Sequence, residues 1–345
     1  MADVTLVRVP AHLPWRGRAR ATAFGLLAGV VADQIAGDPR RGHPVALFGF
    51  AAGRLESVMW RDSRVSGALY AGVLVAAPAL CGALAVRLLS RLPPGARDAG
   101  LAAATAAGTW AVLGGRSLTA EAGAVAAHLD RDDVVAARRQ LTHLVGRRTD
   151  LLDEAEIARA TVESLAENTS DAVIAPLLWG AVAGLPGLLA YRAVNTLDAM
   201  VGHHSPRYEN FGWASARADD VANYLPARLT AVLTALVAPV AGGSGRGALA
   251  VARADGRRHP SPNAGVAEAA FAGALGLRLG GRNDYGSHAE DRPVLGGSGR
   301  APRAADIARA ARLSRGVTVA AAVICAAIAL ARGNPSATGA LSTGS

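Results

Sequence analysis

Lysine is absent from this chain: all 36 residues counted as Lys or Arg are arginine. That excludes two mechanisms at once. A Walker A loop needs a lysine on its phosphates and a pyridoxal enzyme needs one for its Schiff base. Any phosphate must therefore be held by arginine, backbone amides or a metal ion. Cysteine is nearly absent, since Cys81 and Cys325 lie alone inside apolar runs. They read as buried structural thiols, not as a zinc site or a disulfide framework. Aromatic residues make up only 4% and form no basic, aromatic-rich face, so the net charge of +9 does not read as nucleic-acid binding. There is no Ser-His-Asp order, CxxC pair or HExxH, which leaves no specific signal for a hydrolase or a zinc enzyme.

What the chain does have is apolar residues in blocks. Of 345 residues, 51% are apolar, mostly Ala, Val and Leu, a composition suited to closely packed helices. Arginine-rich stretches separate the blocks. This segregation predicts an all-α, polytopic membrane bundle with polar helical loops, a single domain over 1–345. A basic segment occupies 1–20, and a small polar tail at 333–345 is expected to be disordered. Ser66 to Leu89 is long enough to cross a bilayer. Leu101 to Gly115 follows the turn-like Leu92-Pro93-Pro94-Gly95, so the pair reads as a transmembrane hairpin. Gly316 to Leu330 is a further helix. Ala21 to Gly37 lies behind arginines like a signal peptide, but Asp33 interrupts it and no small-residue cleavage site follows, so it reads as part of the mature chain. The Gly-rich run Ala241 to Gly247 reads as a flexible connection, and several loops are basic, which leaves orientation open.

Two apolar stretches do not look like ordinary spans. Ala172 to Tyr191 is interrupted by Pro176, Gly180, Gly184, Pro186 and Gly187, and Leu229 to Ala241 is short. Each is either re-entrant or buried in protein. The distinction matters because polar segments flank Ala172 to Tyr191 on both sides. A full crossing would put them in different compartments, whereas a broken helix would keep them together.

Those polar segments carry the candidate chemistry. From Asp150 to Asp171, helical spacing puts Glu163, Glu167 and Asp171 at successive i, i+4 positions, with Asn168 beside them, so the three carboxylates are expected on one face. Their repulsion calls for a divalent cation, arginines from elsewhere, or water on an exposed face. Beyond the apolar stretch, Arg192, Asn195 and Asp198 approximate a second helical face. Asp219 and Asn223 then stand at i, i+4 with Arg217 and Asp220 nearby. Hard oxygen donors and guanidinium groups suit magnesium and phosphate, although Asp and Asn also cap helices and arginines anchor them at interfaces. Pro260 and Pro262 stiffen a loop after His259, with Asn263 a candidate N-cap whose helix start could bind an anion. His259 is either catalytic or a structural hydrogen-bonding group. Arg116, Ser117 and Arg147 stand beside glycines, as anion ligands or as surface residues.

These same stretches strongly resemble the cobalamin biosynthesis family called CobD or CbiB. The likeness runs through GDP and HPV at Asp38 and His43, GRSL at Arg116, VESLAENTSDAVIAPLLW at Glu163, YRAVNTLDAMVGH, RYENFGWASARADDVANYLPARLTA and HPSPNAGVAEAAFAGALG. Together they cover roughly Asp33 to Gly297 in the family's order. One departure stands out: LVGRRTD carries Arg148 where the family usually has aspartate. The resemblance implies a multi-pass inner-membrane protein with a cytoplasm-facing site. It also implies ATP-dependent amide formation between a carboxylate of adenosylcobyric acid and aminopropanol or its phosphate, with other late cobalamin-biosynthesis enzymes as possible partners. For that reaction Glu167 and Asp171, helped by Asp198 or Asp219, are expected to hold Mg2+. Arg116, Ser117, Arg147, Arg192, Asn195, Arg217, Asn223 and Asn263 are expected around phosphates or substrate. Glu163, Asn168 and His259 are the catalytic candidates, His259 as acceptor of the amine proton. The competing expectation is a non-enzymatic membrane sensor similar to the AmpE family. A transporter has less support, because no inverted repeat is evident.

Overall fold

The structure, a computed structural model, describes residues 14–39, 42–203, 205–284 and 289–333. Residues 1–13 of the basic segment and the tail from 334 onward lie outside the described residues. The chain is an all-α polytopic membrane protein. Among the described residues, four helical segments are long and apolar enough to cross a membrane: Arg64–Leu89, Glu154–Gly202, Tyr224–Ala241 and Ala304–Arg332. Large apolar side chains stay exposed along the first and last of these, among them Leu69, Val73 and Leu80, and Val319 and Val323. Such faces suit lipid.

In chain order, α1 (Pro14–Ala36), α2 (Pro44–Met59), α3 (Arg64–Leu89) and α4 (Pro94–Val112) precede α5 (Gly115–Leu129) and α6 (Val134–Leu141). Proline begins both α2 and α4, where its missing N–H costs no helical bond. The expected hairpin of α3 and α4 is present, with Gly100 against Leu89, but each helix packs more extensively elsewhere. α4 lies mainly along α1, and α3 lies against the later helix α8. The reason is small residues: a Cβ at Gly25 would sit 2.7 Å from the Ala102 carbonyl oxygen, and one at Gly29 would sit 2.8 Å from that of Ala106. This GxxxG stripe lets α1 approach the α4 backbone closely.

α7 (Glu154–Thr169) opens with a capping box, in which Asp153 Oδ1 accepts the Glu156 N–H at 2.8 Å and Glu156 Oε2 accepts the Asp153 N–H at 2.9 Å. It runs into a π-helical turn at Ser170–Ile174, then α8 (Ala175–Leu197), then a second π turn at Asp198–Gly202. α8 is not straight. Gly184 has φ 66° and ψ −158°, a conformation essentially reserved for glycine, and the chain reverses there. The Tyr191 hydroxyl donates to the Asp171 carbonyl at 2.9 Å, although twenty residues of straight helix would separate them by about 30 Å. Gly180 closes the hairpin against Leu188. The broken stretch therefore doubles back on itself, and both polar flanks lie on one side. Gly184→Ala should lower stability by about 1–3 kcal/mol; an unchanged melting temperature in detergent would refute a strained reversal at this residue.

α9 (Trp213–Ala222), α10 (Tyr224–Val237), α11 (Gly245–Asp255) and α12 (Ala264–Leu275) follow, then strands β1 (Leu279–Asp284) and β2 (Ala289–Leu295), and finally α13 (Ala304–Arg332). The Gly-rich run expected to be flexible is a close-packed turn. Gly242 adopts φ 64°, Ser244 Oγ caps α11 by accepting the Gly247 N–H at 3.0 Å, and a side chain at Gly243 or Gly245 would strike the carbonyl of Ala274 or Ala235. β1 and β2 form one antiparallel hairpin, with Asn283 opposite Glu290. It lies against α7, where Arg159 donates to the carbonyls of Gly280 and, at 3.0 Å, Arg282.

Candidate functional site

α7, α12, the loop before α7 and the β-hairpin enclose a cavity of about 390 Å3. Its polar lining is Arg147, Glu163, Ser164, Glu167, His203, Glu268, Asn283 and Arg292. Glu163 is only 6% exposed and both its oxygens are engaged. Oε1 accepts the Gly280 N–H at 2.8 Å, and Oε2 is ion-paired to Arg147. Arg147 also donates to Asn283 Oδ1, so this pair fastens the hairpin to α7. Glu167 lies one turn on, as the helical period requires. Asp171 is not part of the cavity lining, but it feels the charge of Glu167 one turn before it. A π turn begins at Ser170 and widens the helix beyond that point. Asn168 is turned back onto its own helix, donating to the Ser164 carbonyl at 3.0 Å.

A second polar group adjoins the first, built by the return leg of α8 and by α9. Tyr191 OH lies 2.7 Å from Asn223 Oδ1. Asn223 Nδ2 donates to Asp219 Oδ2 at 2.9 Å, Asn195 Nδ2 to Asp219 Oδ1 at 3.4 Å, and Arg192 Nη1 to Asn195 Oδ1 at 3.4 Å. This chain ties the α8 hairpin to α9. Burial raises the Asp219 carboxyl above its usual range, opposed by the hydrogen bonds from Asn223 and Asn195. Arg192 feels the charges of Asp38 and Asp171, and His43 lies 3.6 Å from Asp38, which brings the loop before α2 to the same place.

The four carboxylates expected to hold metal act on one another electrostatically: Asp171 feels Asp219, Glu167 and Asp198, and Asp198 feels Asp219 and Glu167. Among the described residues no three of His, Cys, Asp and Glu are grouped at metal-ligand spacing. Carboxylate oxygens are the hard donors that magnesium takes, so these residues match it in donor type and not in spacing.

Other candidates stand apart. Arg116 is exposed and holds the end of α1, donating from Nη1 to the Gln34 carbonyl at 2.7 Å and from its amide to Asp33 Oδ2 at 3.2 Å; Ser117 adjoins it on α5. Arg217 pairs with Asp220 at 3.4 Å on the surface. Arg148, the departure from the family pattern, is exposed and paired with Asp150 at 2.6 Å, so its neighbour Arg147 is the one that enters the site. Asn263 is not the side-chain cap of α12. Ser261 Oγ accepts the Asn263 and Ala264 N–H groups instead, while Asn263 bridges the Asp220 carbonyl at 2.8 Å and Arg228 at 2.7 Å.

His259 Nδ1 accepts the Ser261 N–H at 3.0 Å. A neutral imidazole with Nδ1 accepting carries its proton on Nε2. Burial, and then Arg292, lowers the His259 pKa, which favours that neutral form. Nε2 is buried without a partner, and in that tautomer it would present its N–H as a donor.

Asn283 and Arg292, which enter the site from the hairpin, were not singled out from sequence. The only signal was glycine on both flanks of a short polar run, at Gly280, Gly281 and Gly286. Tyr191 was read only as the end of an apolar stretch.

No solved structure matches this chain. Among curated proteins, the cobalamin biosynthesis protein CobD of Mycobacterium tuberculosis (strain CDC 1551 / Oshkosh) is 54% identical over 302 residues, covering 88% of this chain and 94% of that protein. The protein of the same name from Geobacter metallireducens is 48% identical over 277 residues, 79% of this chain and 85% of its own length. That from Rhodobacter capsulatus is 45% identical over 282 residues, covering 80% and 86%. The family model described as CobD/Cbib protein matches residues 26–314, and with such coverage the chain belongs to the CobD/CbiB family of cobalamin biosynthesis proteins.

Proposed function

We propose that this protein is an ATP-dependent carbon–nitrogen ligase that joins 1-amino-2-propanol or its O-phosphate to a carboxylate of adenosylcobyric acid, giving adenosylcobinamide or its phosphate. The observation that carries the reading is the gathering of Glu167, Asp171, Asp198 and Asp219 beside Arg192 on one side of the bundle, made possible by the reversal at Gly184. A carboxylate is a poor acylating agent. Its oxygen attacks the terminal phosphorus of ATP and ADP leaves; the amine then attacks the acyl carbon of the resulting acyl phosphate, expelling phosphate and losing a proton. Magnesium, held by Glu167 and Asp171 with Asp198 or Asp219, would screen the transferring phosphoryl charge.

The remaining roles fall to the chain's own groups. Arg192 is placed to bind a phosphate or a corrin carboxylate, since it has a buried Nε without a partner. His259 supplies an N–H to an anionic oxygen. Glu163 and Arg147 hold the hairpin over the cavity. The site faces the cytoplasm, where ATP and corrinoid are available, and other late enzymes of the same pathway are candidate partners there.

Membranes containing the protein, incubated with adenosylcobyric acid, aminopropanol phosphate, ATP and magnesium, should yield a mass-spectrometric signal for adenosylcobinamide phosphate that requires every component. Absence of product with either free or phosphorylated amine, from verified inserted protein beside an active relative, would reject the ligase in favour of a sensor.

A further inference from the structure

Glu268 is the one polar side chain in α12, whose sequence is otherwise AGVA and AAFAGAL. It is 2% exposed, lines the cavity, and its Oε1 is buried without a hydrogen-bond partner. A carboxylate so placed is costly unless a cation meets it. The charges facing it are Glu163 and Glu167 from α7, Arg147 from the loop before α7, and Arg292 from β2. Neither arginine is uncommitted: Arg147 is paired with Glu163, and Arg292 lies 3.4 Å from Glu290. The cavity thus holds more carboxylate than guanidinium is left to balance. Its other walls carry Leu144, Val145, Ala160 and Ala199 beside Ser164 and His203, so apolar side chains stand next to the charge where a short alkyl chain could lie.

We propose that Glu268 forms the amine subsite, receiving the primary ammonium group of the amino-alcohol substrate; this rests on the ligase reading above. A primary alkylamine, like the lysine side chain with its pKa of about 10.4, is an ammonium ion with three N–H donors at neutral pH. Glu268 supplies the acceptor, and the apolar wall takes the propyl carbons. The placement also separates duties, with Glu167 and Asp171 toward metal and phosphate and Glu268 toward the amine.

The test compares the full-length protein in detergent with its Glu268→Gln and Glu268→Asp variants. Titration calorimetry would use 1-amino-2-propanol and, as a control lacking nitrogen, 1,2-propanediol. The wild type should bind the amine and not the diol. Glu268→Gln should weaken amine binding and raise the amine KM by about 30-fold or more, the loss expected when one partner of a buried charge pair is removed. The corrinoid KM and the magnesium requirement should stay within about twofold, and Glu268→Asp, which keeps the charge, should recover part of the loss. Amine affinity and KM unchanged in Glu268→Gln, or a changed magnesium requirement in their place, would overturn the proposal. Amine binding that depends on Glu268 in a wild type that forms no amide would support the subsite while rejecting the ligase.

Discussion

Replacing Glu167 with Gln and Asp171 with Asn together should abolish amide formation while leaving insertion intact and the melting temperature equal or higher. The two effects have one cause. These carboxylates act on each other and on Asp198 and Asp219, so neutralising two of them relieves like-charge repulsion in a poorly solvated place. Without a cation to hold, that relief is all that remains. With a cation, the lost stabilisation of the phosphoryl transition state is several kcal/mol, and each 1.4 kcal/mol is a factor of ten. Product formation should therefore fall by about a thousandfold or more. Activity measured beside thermal unfolding in detergent separates the possibilities. A destabilised variant would mean that the carboxylates are structural, and a stable, fully active one would remove the metal from the reaction.

The sequence disclosed this site unevenly, for identifiable physical reasons. The Glu163–Glu167 row was legible because both residues lie within a regular α-helix, where period alone decides the face. The π turn that follows it was not, because nothing in SLAENTSDAVI marks it. The break in α8 was legible in its glycines and prolines; that Gly184 reverses the chain outright followed only from the contact between Tyr191 and Asp171. Adjacent arginines in a loop have no periodicity to tell them apart, so only the fold shows that Arg147 turns inward and Arg148 outward. The β-hairpin was hidden by the helical bias of the whole composition. Two of the cavity's polar groups, Asn283 and Arg292, were hidden with it.

That hairpin gives the second large expectation. Arg147→Ala should destabilise the protein by about 3 kcal/mol, because it takes from the buried Glu163 carboxylate its nearest counterion and leaves only Arg159 Nε, 4.0 Å away. It also removes the donor to Asn283, so the hairpin loses one of its ties to the body of the fold. Glu163→Gln in the same chain should restore part of the stability. A neutral amide needs no counterion, and its carbonyl oxygen can still accept the Gly280 N–H that Glu163 Oε1 accepts at 2.8 Å. The cycle of two single variants and the double, followed by thermal or denaturant unfolding, measures the coupling directly. Hydrogen exchange over residues 279–284 provides a local reading of the same event, with faster exchange in Arg147→Ala and partial recovery in the double variant. Additive effects and unchanged exchange would show that Arg147 does not hold the hairpin, leaving that to Arg159 and the Glu163–Gly280 bond. Strong coupling would make Glu163 a positioning residue, one that sets where Asn283 and Arg292 stand over the cavity without touching the reacting atoms.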